Sequence, residues 1–502
     1  MKKAFSILLA VAMIFCMFSG FEASGAEDYS KKLEKSGKCG KSVSWSYSEK
    51  TGTVTISGSG STYNYDYDAD GGLYISESPL SAIKGIKKVV VKEGVTRIGN
   101  YLLCGNVNLA SVTLPSSLTS IGWEAFTKAG KLTSLYIPKN VSEISQNPFG
   151  YCNSLASIRV SLQNEYFDSR NDCNAIIRKS DDALTTGCKN TIIPNTVQII
   201  EEYAFYRLNS LKYIKIPNGV KIIYASAFNS CEKLEYVELP EGLEMMSGTT
   251  FIGAGIKHID IPEGVEYLGY YSFGLCKNLK SVSIPASVID INDSFTSSKN
   301  VKTVYYASEK SDWKKIEILD DVIGKVENVK YNSIGTSDVN KLGNRTYTGK
   351  SIYKTINVEK DGVTLKKGTD YKVSYSNNKN VGTVVVTITG IGNYSGKVIR
   401  LFRINPKGTS IKKITSPKSK QLKVEWNKKT TQTTGYEIQL ATNSSFTSNL
   451  KTVSVSSYKT ASKTVTGLKS KTKYFVRIRT YKVKDSMRYY SSWSSYKTYK
   501  TK

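Results

Sequence analysis

Apolar residues return along the middle of the chain at an almost constant interval, and prolines mark it. Pro115, Pro138, Pro194, Pro217, Pro240, Pro262 and Pro285 are separated by 23, 56, 23, 23, 22 and 23 residues. The spacing of 56 is two intervals with ten extra residues. Self-similarity at a fixed period of 20–50 residues is typical of a solenoid, in which each repeat is one coil.

Each coil has the same internal pattern. Before the proline comes L-x-x-V-x-L, as in Leu234, Val237 and Leu239. A phenylalanine follows eleven residues after the proline at Phe126, Phe149, Phe205, Phe228, Phe251 and Phe273. Proline cannot donate to a strand ladder, so it ends the short strand before it. We therefore predict stacked coils with one continuous parallel sheet, and phenylalanines that fill the far side of the core.

Different patterns flank the repeat. Residues 27–85 are predicted to cap it, because VSWSYSEKTGTVTISG alternates around a turn and reads as a hairpin. The solenoid of about ten coils is assigned to 86–335, with an insertion at 161–190. Short alternating strands and turn residues in 336–406 and again in 407–502 predict two β-sandwich modules. The predicted fold class is therefore mainly β.

The N-terminus has the pattern of an export signal. Lys2 and Lys3 precede the apolar run of 5–18, and the small residues Ser24 and Ala26 suit cleavage, which defines a signal peptide at 1–26. No later stretch is apolar enough to span a membrane, and no anchor motif follows the last module. We expect a secreted protein, or one held at the cell surface by non-covalent contacts.

The net charge of +28 is concentrated at the C-terminal end. From Lys407 onward there are 22 Lys and Arg against three acidic residues. Outside a cell, this charge favours an anionic partner such as a cell-wall polymer. An equally weighted alternative is that the lysines only keep strand edges soluble. Nucleic acid is not an expected partner of an exported chain.

Seven cysteines remain after Cys16, which lies in the signal. Cys152, Cys231 and Cys276 share one repeat position and are predicted to be small buried core residues. Cys173 and Cys188 flank the inserted segment and are the one candidate disulfide.

Catalytic chemistry has little support. His258 is the single histidine, and no G-x-S-x-G or phosphate-binding loop occurs. Clustered His and Cys with zinc spacing are also absent. We predict no enzyme activity, no catalytic residues, no metal site and no cofactor.

The repeat resembles the BspA-like leucine-rich-repeat family of bacterial cell-surface proteins. The resemblance covers about residues 36–332 and rests on the frame L-x-x-V-x-I-P-x-x-V-x-x-I-x-x-x-A-F-x-x-C, the cap and the insert CNAIIRKSDDALTTGCKNTIIP. It implies adhesion or surface recognition. Residues 336–406 resemble immunoglobulin-like spacers, and 407–502 resemble a fibronectin type III domain, in which Leu468 and Tyr474 have tyrosine-corner spacing.

Side chains two and four residues before each proline are predicted to point off the sheet, because strand side chains alternate. They would line the concave face, with Tyr213, Tyr236 and His258 stacked on successive coils. Exposed aromatics of this kind are typical of binding surfaces. The candidate ligand-binding residues are Tyr136, Arg159, Tyr213, Lys215, Tyr236, Glu238, His258, Asp260 and Tyr305.

Three functions fit this pattern. The first is an adhesin-like platform that binds a host or neighbour-cell protein through the concave face. The second is a protein that binds a glycan or cell-wall polymer, with the basic C-terminal modules gripping anionic polymer. The third and weakest is an accessory unit of an enzyme.

Overall fold

The computed structural model describes residues 35–68 and 75–502, and the fold is nearly all β, with 2% helix. The proposed signal peptide and residues 27–34 of the cap lie outside the described residues. The helical segments of the described residues are single turns at Arg170–Asp172, Lys310–Trp313 and Ile323–Lys325.

One row of short parallel strands forms the concave face and lies where the L-x-x-V-x-L frame predicts it. Neighbouring coils pair in register, with Leu135 opposite Ile158 and Ile214 opposite Val237. The inward residues of these pairs are buried. The strands are Lys88–Val91, Ser111–Thr113, Ser134–Ile137, Ser157–Val160, Tyr213–Lys215, Tyr236–Glu238, His258–Asp260, Ser281–Ile284, Thr303–Tyr306 and Val329–Lys330.

A second row of parallel strands follows the prolines, and the sequence pattern did not predict it. It arises because two apolar residues after each proline are buried in the core, as Val220 and Ile223 are. Ile222, which lies between them in the chain, is only partly buried. This row gives the coil a second wall. Its strands are Gly60–Ser61, Val95–Ile98, Ser120–Ile121, Glu143–Ile144, Ile199–Ile200, Ile222–Ile223, Met245–Met246, Asp290–Ile291 and Glu317–Ile318.

The phenylalanines stack as expected. Ring centroids of Phe205 and Phe228 are 4.9 Å apart, and those of Phe228 and Phe251 are 5.0 Å apart, with planes within 9° of parallel. Because each ring lies on the next, one coil's core continues into its neighbour's.

Both ends of the solenoid are closed. The predicted hairpin forms from Val43–Ser48 and Thr53–Gly58, with Ser36–Lys38 on its outer edge, and Thr53–Gly58 pairs in parallel with the first coil. Tyr67–Asp68 pairs with Ile75–Ser76, and these two strands flank the residues 69–74 that lie outside the described ranges. At the other end Trp313, Ile316, Ile318, Val329 and Tyr331 pack against the last coil.

The insertion forms a small antiparallel sheet. Its strands Phe167–Asp168, Ile176–Arg178 and Ala183–Thr186 join the second row of the solenoid through Ile199–Ile200. The insertion therefore continues the solenoid wall rather than leaving it.

All seven described cysteines are free and buried. The candidate disulfide between Cys173 and Cys188 is not formed. Instead, the Cys188 thiol lies 3.3 Å from the carbonyl oxygen of Asn174, and that of Cys173 lies 3.8 Å from the oxygen of Ala175. The repeat cysteines are small core residues, as predicted, and Cys231 also donates to the carbonyl of Phe205 in the preceding coil, at 3.1 Å.

Residues 336–406 fold around one four-stranded sheet, and the chain between its strands Arg345–Thr346 and Tyr371–Ser376 packs against the sheet. Among the described residues of this covering segment, the regular secondary structure is one two-stranded ribbon. The sheet has the order Arg345–Thr346, Lys397–Asn405, Gly382–Gly390, Tyr371–Ser376, and the ribbon is Glu359–Lys360 with Val363–Thr364. We call this the middle module.

The last module is a β-sandwich of two antiparallel sheets. Trp426 and Tyr436 are buried in its core, and Tyr474 accepts a hydrogen bond at its hydroxyl from the backbone of Lys469 at 3.0 Å, which forms the predicted tyrosine corner. One sheet contains Ile411–Thr415, Leu422–Trp426 and Ser462–Val465. The other contains Gly435–Ala441, Lys451–Val455, Lys473–Lys484, Met487–Tyr490 and Lys497–Lys500.

Candidate functional site

The concave face is divided into two halves. In the first three coils the outward residues Lys88, Ser111, Thr113 and Ser134 are exposed, and Tyr136 is 57% exposed. From Asn190 onward most outward side chains are buried, although the alternation of the strands is unchanged. We call coils with the strands Lys88–Val91, Ser111–Thr113 and Ser134–Ile137 the open half, and the coils from Asn190 to Ser283 the covered half.

The middle module covers this second half with the edge of one strand. The backbone N–H of Ile399 donates to Asp260 Oδ2 at 3.0 Å, and the N–H of Leu401 donates to Glu238 Oε2 at 2.7 Å. Alternate amides of a strand point to the same edge, so two carboxylates on neighbouring coils satisfy that edge. The concave carboxylates therefore hold a strand of the same chain.

Arg400 anchors this contact. It is 1% exposed, and its guanidinium donates to Glu241 Oε1 at 3.0 Å and lies 3.5 Å from Glu238 Oε1. It also donates to the carbonyls of Thr336 and Val339. Lys215 contacts Glu238 at 2.7 Å from the other side. A buried charge needs this many partners, because leaving it unpaired is costly.

His258 completes the contact. Its Nε2 lies 2.8 Å from the carbonyl oxygen of Lys397 and 3.0 Å from Asp260 Oδ1. Because both neighbours are acceptors, we assign the hydrogen to Nε2. Nδ1 lies 2.8 Å from the hydroxyl and 3.1 Å from the carbonyl oxygen of Ser281. His258 is thus a 4% exposed positioning group and faces no open cleft.

The two tyrosines stack, but against the chain itself. Tyr213 and Tyr236 have ring centroids 5.8 Å apart and planes within 7° of parallel. Tyr213 is 6% exposed and belongs to a core shared with the middle module and with Met487 and Tyr489 of the last module. The stack does not continue onto His258, which packs edge-on against Tyr305 at 6.2 Å.

The last module docks beside the insertion through Asp172. This carboxylate accepts from Arg159 at 2.9 Å and from Trp493 Nε1 at 3.3 Å, and Arg479 lies 3.5 Å away. Burial raises the pKa of Asp172, but the charges of Arg159 and Arg479 outweigh it and leave the pKa below its usual value. Arg479 itself lies between the rings of Tyr490 and Trp493, at 3.9 and 4.1 Å.

Nearby contacts extend the same junction. Arg159 reaches Glu437 of the last module at 3.7 Å. The backbone N–H of Arg488 donates to Asn190 Oδ1 at 2.6 Å, so an outward side chain of the concave face again accepts from the chain's own backbone. Trp493 lies at this junction and is only partly buried.

The predicted ligand-binding residues therefore fall into four groups. Tyr136 alone lies in the open half and is exposed. Buried in the docking contact are Tyr213, Glu238, His258 and Asp260; Lys215, Tyr236 and Tyr305 lie at its margin, and Arg159 at the junction with the last module. The expected exposed stack of aromatic rings is absent from the described concave face, because the middle module covers it.

The sequence pattern does not indicate a role for Arg400, Asp172 or Arg479. One signal for Arg400 was available, because it interrupts the apolar strand Val398–Phe402. An arginine among residues buried on both sides requires a buried acidic partner. Within the described residues, no group of three His, Cys, Asp or Glu side chains is placed to hold a metal ion. No helix among the described residues is long and apolar enough to cross a membrane.

Fold and site together define a leucine-rich-repeat solenoid whose C-terminal β modules are docked on its concave face. Family models give the particular type. Residues 74–178 and 184–316 match the BspA type leucine rich repeat region in 6 copies, and residues 405–494 match the fibronectin type III domain. The chain thus carries BspA-type leucine-rich repeats and a C-terminal fibronectin type III domain.

Several solved structures are similar to parts of this chain at low identity. A leucine rich cell surface protein from Faecalibacterium prausnitzii is 22% identical, with a TM-score of 0.40, over 60% of this chain and 99% of that chain. The pneumococcal vaccine antigen PcpA is 17% identical, with a TM-score of 0.40, over 59% and 98%. A leucine-rich repeat protein from Eubacterium ventriosum is 21% identical, with a TM-score of 0.34, over 54% and 84%. No curated protein matches the chain significantly.

Proposed function

We propose that this protein is an exported, non-enzymatic interaction platform that binds a protein of a host or neighbouring cell. The BspA-type repeats and the fibronectin type III domain support an interaction role at a cell surface. Repeat solenoids present long concave sheets, which are suited to protein ligands. The predicted signal peptide at 1–26 supplies the route to the outside.

The observation that carries the proposal is the open half of the concave face. Its outward side chains include the small, hydroxylated Ser111, Thr113 and Ser134, and Tyr136 stands beside them at 57% exposure. An exposed tyrosine framed by adaptable hydrogen-bonding side chains is typical of protein-binding surfaces. The adhesin-like contact that we assigned to the whole concave face is therefore placed on this half.

The test uses the chain from residue 27 onward on an array of extracellular-matrix proteins and glycans. We expect a protein ligand, and at least about 10-fold weaker binding of that ligand by Tyr136→Ser, because a central tyrosine contributes about 2 kcal/mol to such contacts. Tyr267→Ser is the matched control, since Tyr267 is 59% exposed on another face. Binding to glycans alone, or equal binding by both variants, would refute the proposal.

A further inference from the structure

The fibronectin type III domain gathers lysines at the end that faces away from the solenoid. Three segments meet there, 416–421, 467–473 and 500–502. The N–H of Leu468 donates to the carbonyl of Lys420 at 3.1 Å, and the N–H of Lys502 donates to Ser416 Oγ at 3.0 Å. Thr501 Oγ donates to the carbonyl of Lys469 at 2.6 Å. We call these three segments the lysine pole.

The charge of the lysine pole is one-sided. Every lysine in it is exposed, and the three segments contain no Asp, Glu or Arg side chain. None of its lysines forms an ion pair with an acidic side chain among the described residues. The lysines are Lys418, Lys420, Lys469, Lys471, Lys473, Lys500 and Lys502.

Two of these lysines occupy backbone positions that lysine does not favour. Lys420 has a φ of 59° and Lys471 a φ of 48°, both in the left-handed region. Asn or Gly fits such positions with less strain. Asn can therefore replace lysine at both positions without loss of the turn.

Arginines of the same domain are placed differently. Arg477 and Arg479 stack on Trp493, and Arg488 donates its N–H to Asn190, so all three lie at the docking junction. The strand Lys473–Lys484 runs from the lysine pole towards that junction, and Arg479 lies six residues, about 20 Å, along it from Lys473. The pole therefore stays accessible while the domain is docked.

We propose that the lysine pole binds a flexible polymer of repeating phosphate groups. Lysine is a compact point charge that suits phosphate oxygens, whereas planar carboxylates are matched best by the arginine fork, which the pole lacks. Side chains on three turns with no fixed partners recognise charge density rather than one shape. This site does not depend on the protein-binding role of the open half. It places the anionic polymer that the basic charge predicts on one surface of the fibronectin type III domain.

The test measures fluorescence anisotropy of labelled long-chain inorganic polyphosphate with the chain from residue 27 onward. The pole variant combines Lys418→Gln, Lys420→Asn, Lys469→Gln and Lys471→Asn; the two Asn relieve the left-handed positions, so the fold is retained. The control variant removes the same charge from exposed solenoid lysines, through Lys131→Gln, Lys139→Gln, Lys277→Gln and Lys299→Gln.

We expect the pole variant to bind polyphosphate at least about 10-fold more weakly, with the slope of log K against log salt reduced by about 3 for four lost contacts. The control variant should stay within about 2-fold. Polygalacturonate, a carboxylate polymer of lower charge density, should bind the unmodified chain at least about 10-fold more weakly than polyphosphate. Equal losses in both variants, or equal binding of both polymers, would overturn the assignment.

Discussion

The two halves of the concave face come from one repeat but have different surroundings. Outward positions of the open half include Ser111, Thr113 and Ser134, with one exposed tyrosine, Tyr136. Those of the covered half include Tyr213, Glu238, His258 and Asp260, which contact or pack against the middle module. Aromatic and charged residues on a concave sheet therefore do not by themselves indicate a foreign ligand, because the same chain can supply the partner.

The covered half is bound through backbone amides and one arginine. Two carboxylates accept the edge N–H groups of Ile399 and Leu401, and Arg400 between them reaches Glu241. Strand edges left open are prone to pair with other chains. Docking thus protects the edge of the middle module and, at the same time, closes half of the groove.

Arg400→Met is expected to give the largest change. Glu238 and Glu241 would lose their guanidinium partner, and breaking a buried ion pair costs about 3–5 kcal/mol. The docking of residues 397–405 should open, which hydrogen exchange reports as at least about a 100-fold loss of amide protection at Ile399 and Leu401.

Arg345→Met is the control for this change, since Arg345 is exposed on the same module and its guanidinium donates only to the neighbouring carbonyl of Asn344 among the described contacts. It should leave the protection within about 2-fold. If Arg400→Met left the amides equally protected, the covered half would not depend on this ion pair. Increased ligand capture by the Arg400 variant would show that the covered half binds partners once released.

The solenoid could be predicted from sequence because its information is periodic. The spacing of Pro217 and Phe228 recurs in coil after coil, so each coil's core is specified many times. Outward alternation was equally predictable, and Glu238 and Asp260 do point off the sheet. What no pattern specified was their partner, because the donors on Ile399 and Leu401 are backbone amides, which every residue but proline carries.

Asp172→Asn tests the junction with the last module and has a pH signature. The pKa of Asp172 lies below its usual value, so its carboxylate stabilises the docked state above the unfolded pKa of about 3.9, and this contribution is lost as the pH falls through the folded value. At pH 6 we expect a loss of about 1.5 kcal/mol, or about 10-fold less protection of the Arg488 amide in hydrogen exchange.

The gap between the two proteins should narrow below the unfolded pKa of about 3.9 and close only below the lower folded pKa of Asp172, where the unmodified carboxyl is also protonated. Glu425→Gln serves as the control, because Glu425 pairs with Lys423 on another face of the same domain. A gap that persists unchanged into acid would show that Asp172 contributes through its shape and not through its charge.

Cysteine labelling gives the smallest expected difference between the halves. Burial in the core of the coils raises the pKa of Cys104 in the open half and of Cys231 in the covered half to about 12, so little reactive thiolate exists at pH 8 in either half. Because this burial comes from the coils, Arg400→Met should leave native thiol labelling unchanged. After unfolding without reductant, the chain from residue 27 onward should release seven thiols. A count of five thiols would mean that Cys173 and Cys188 form a disulfide. Faster labelling of the native Arg400 variant would mean that the cysteines are shielded by the docked middle module and not by packing within the coils.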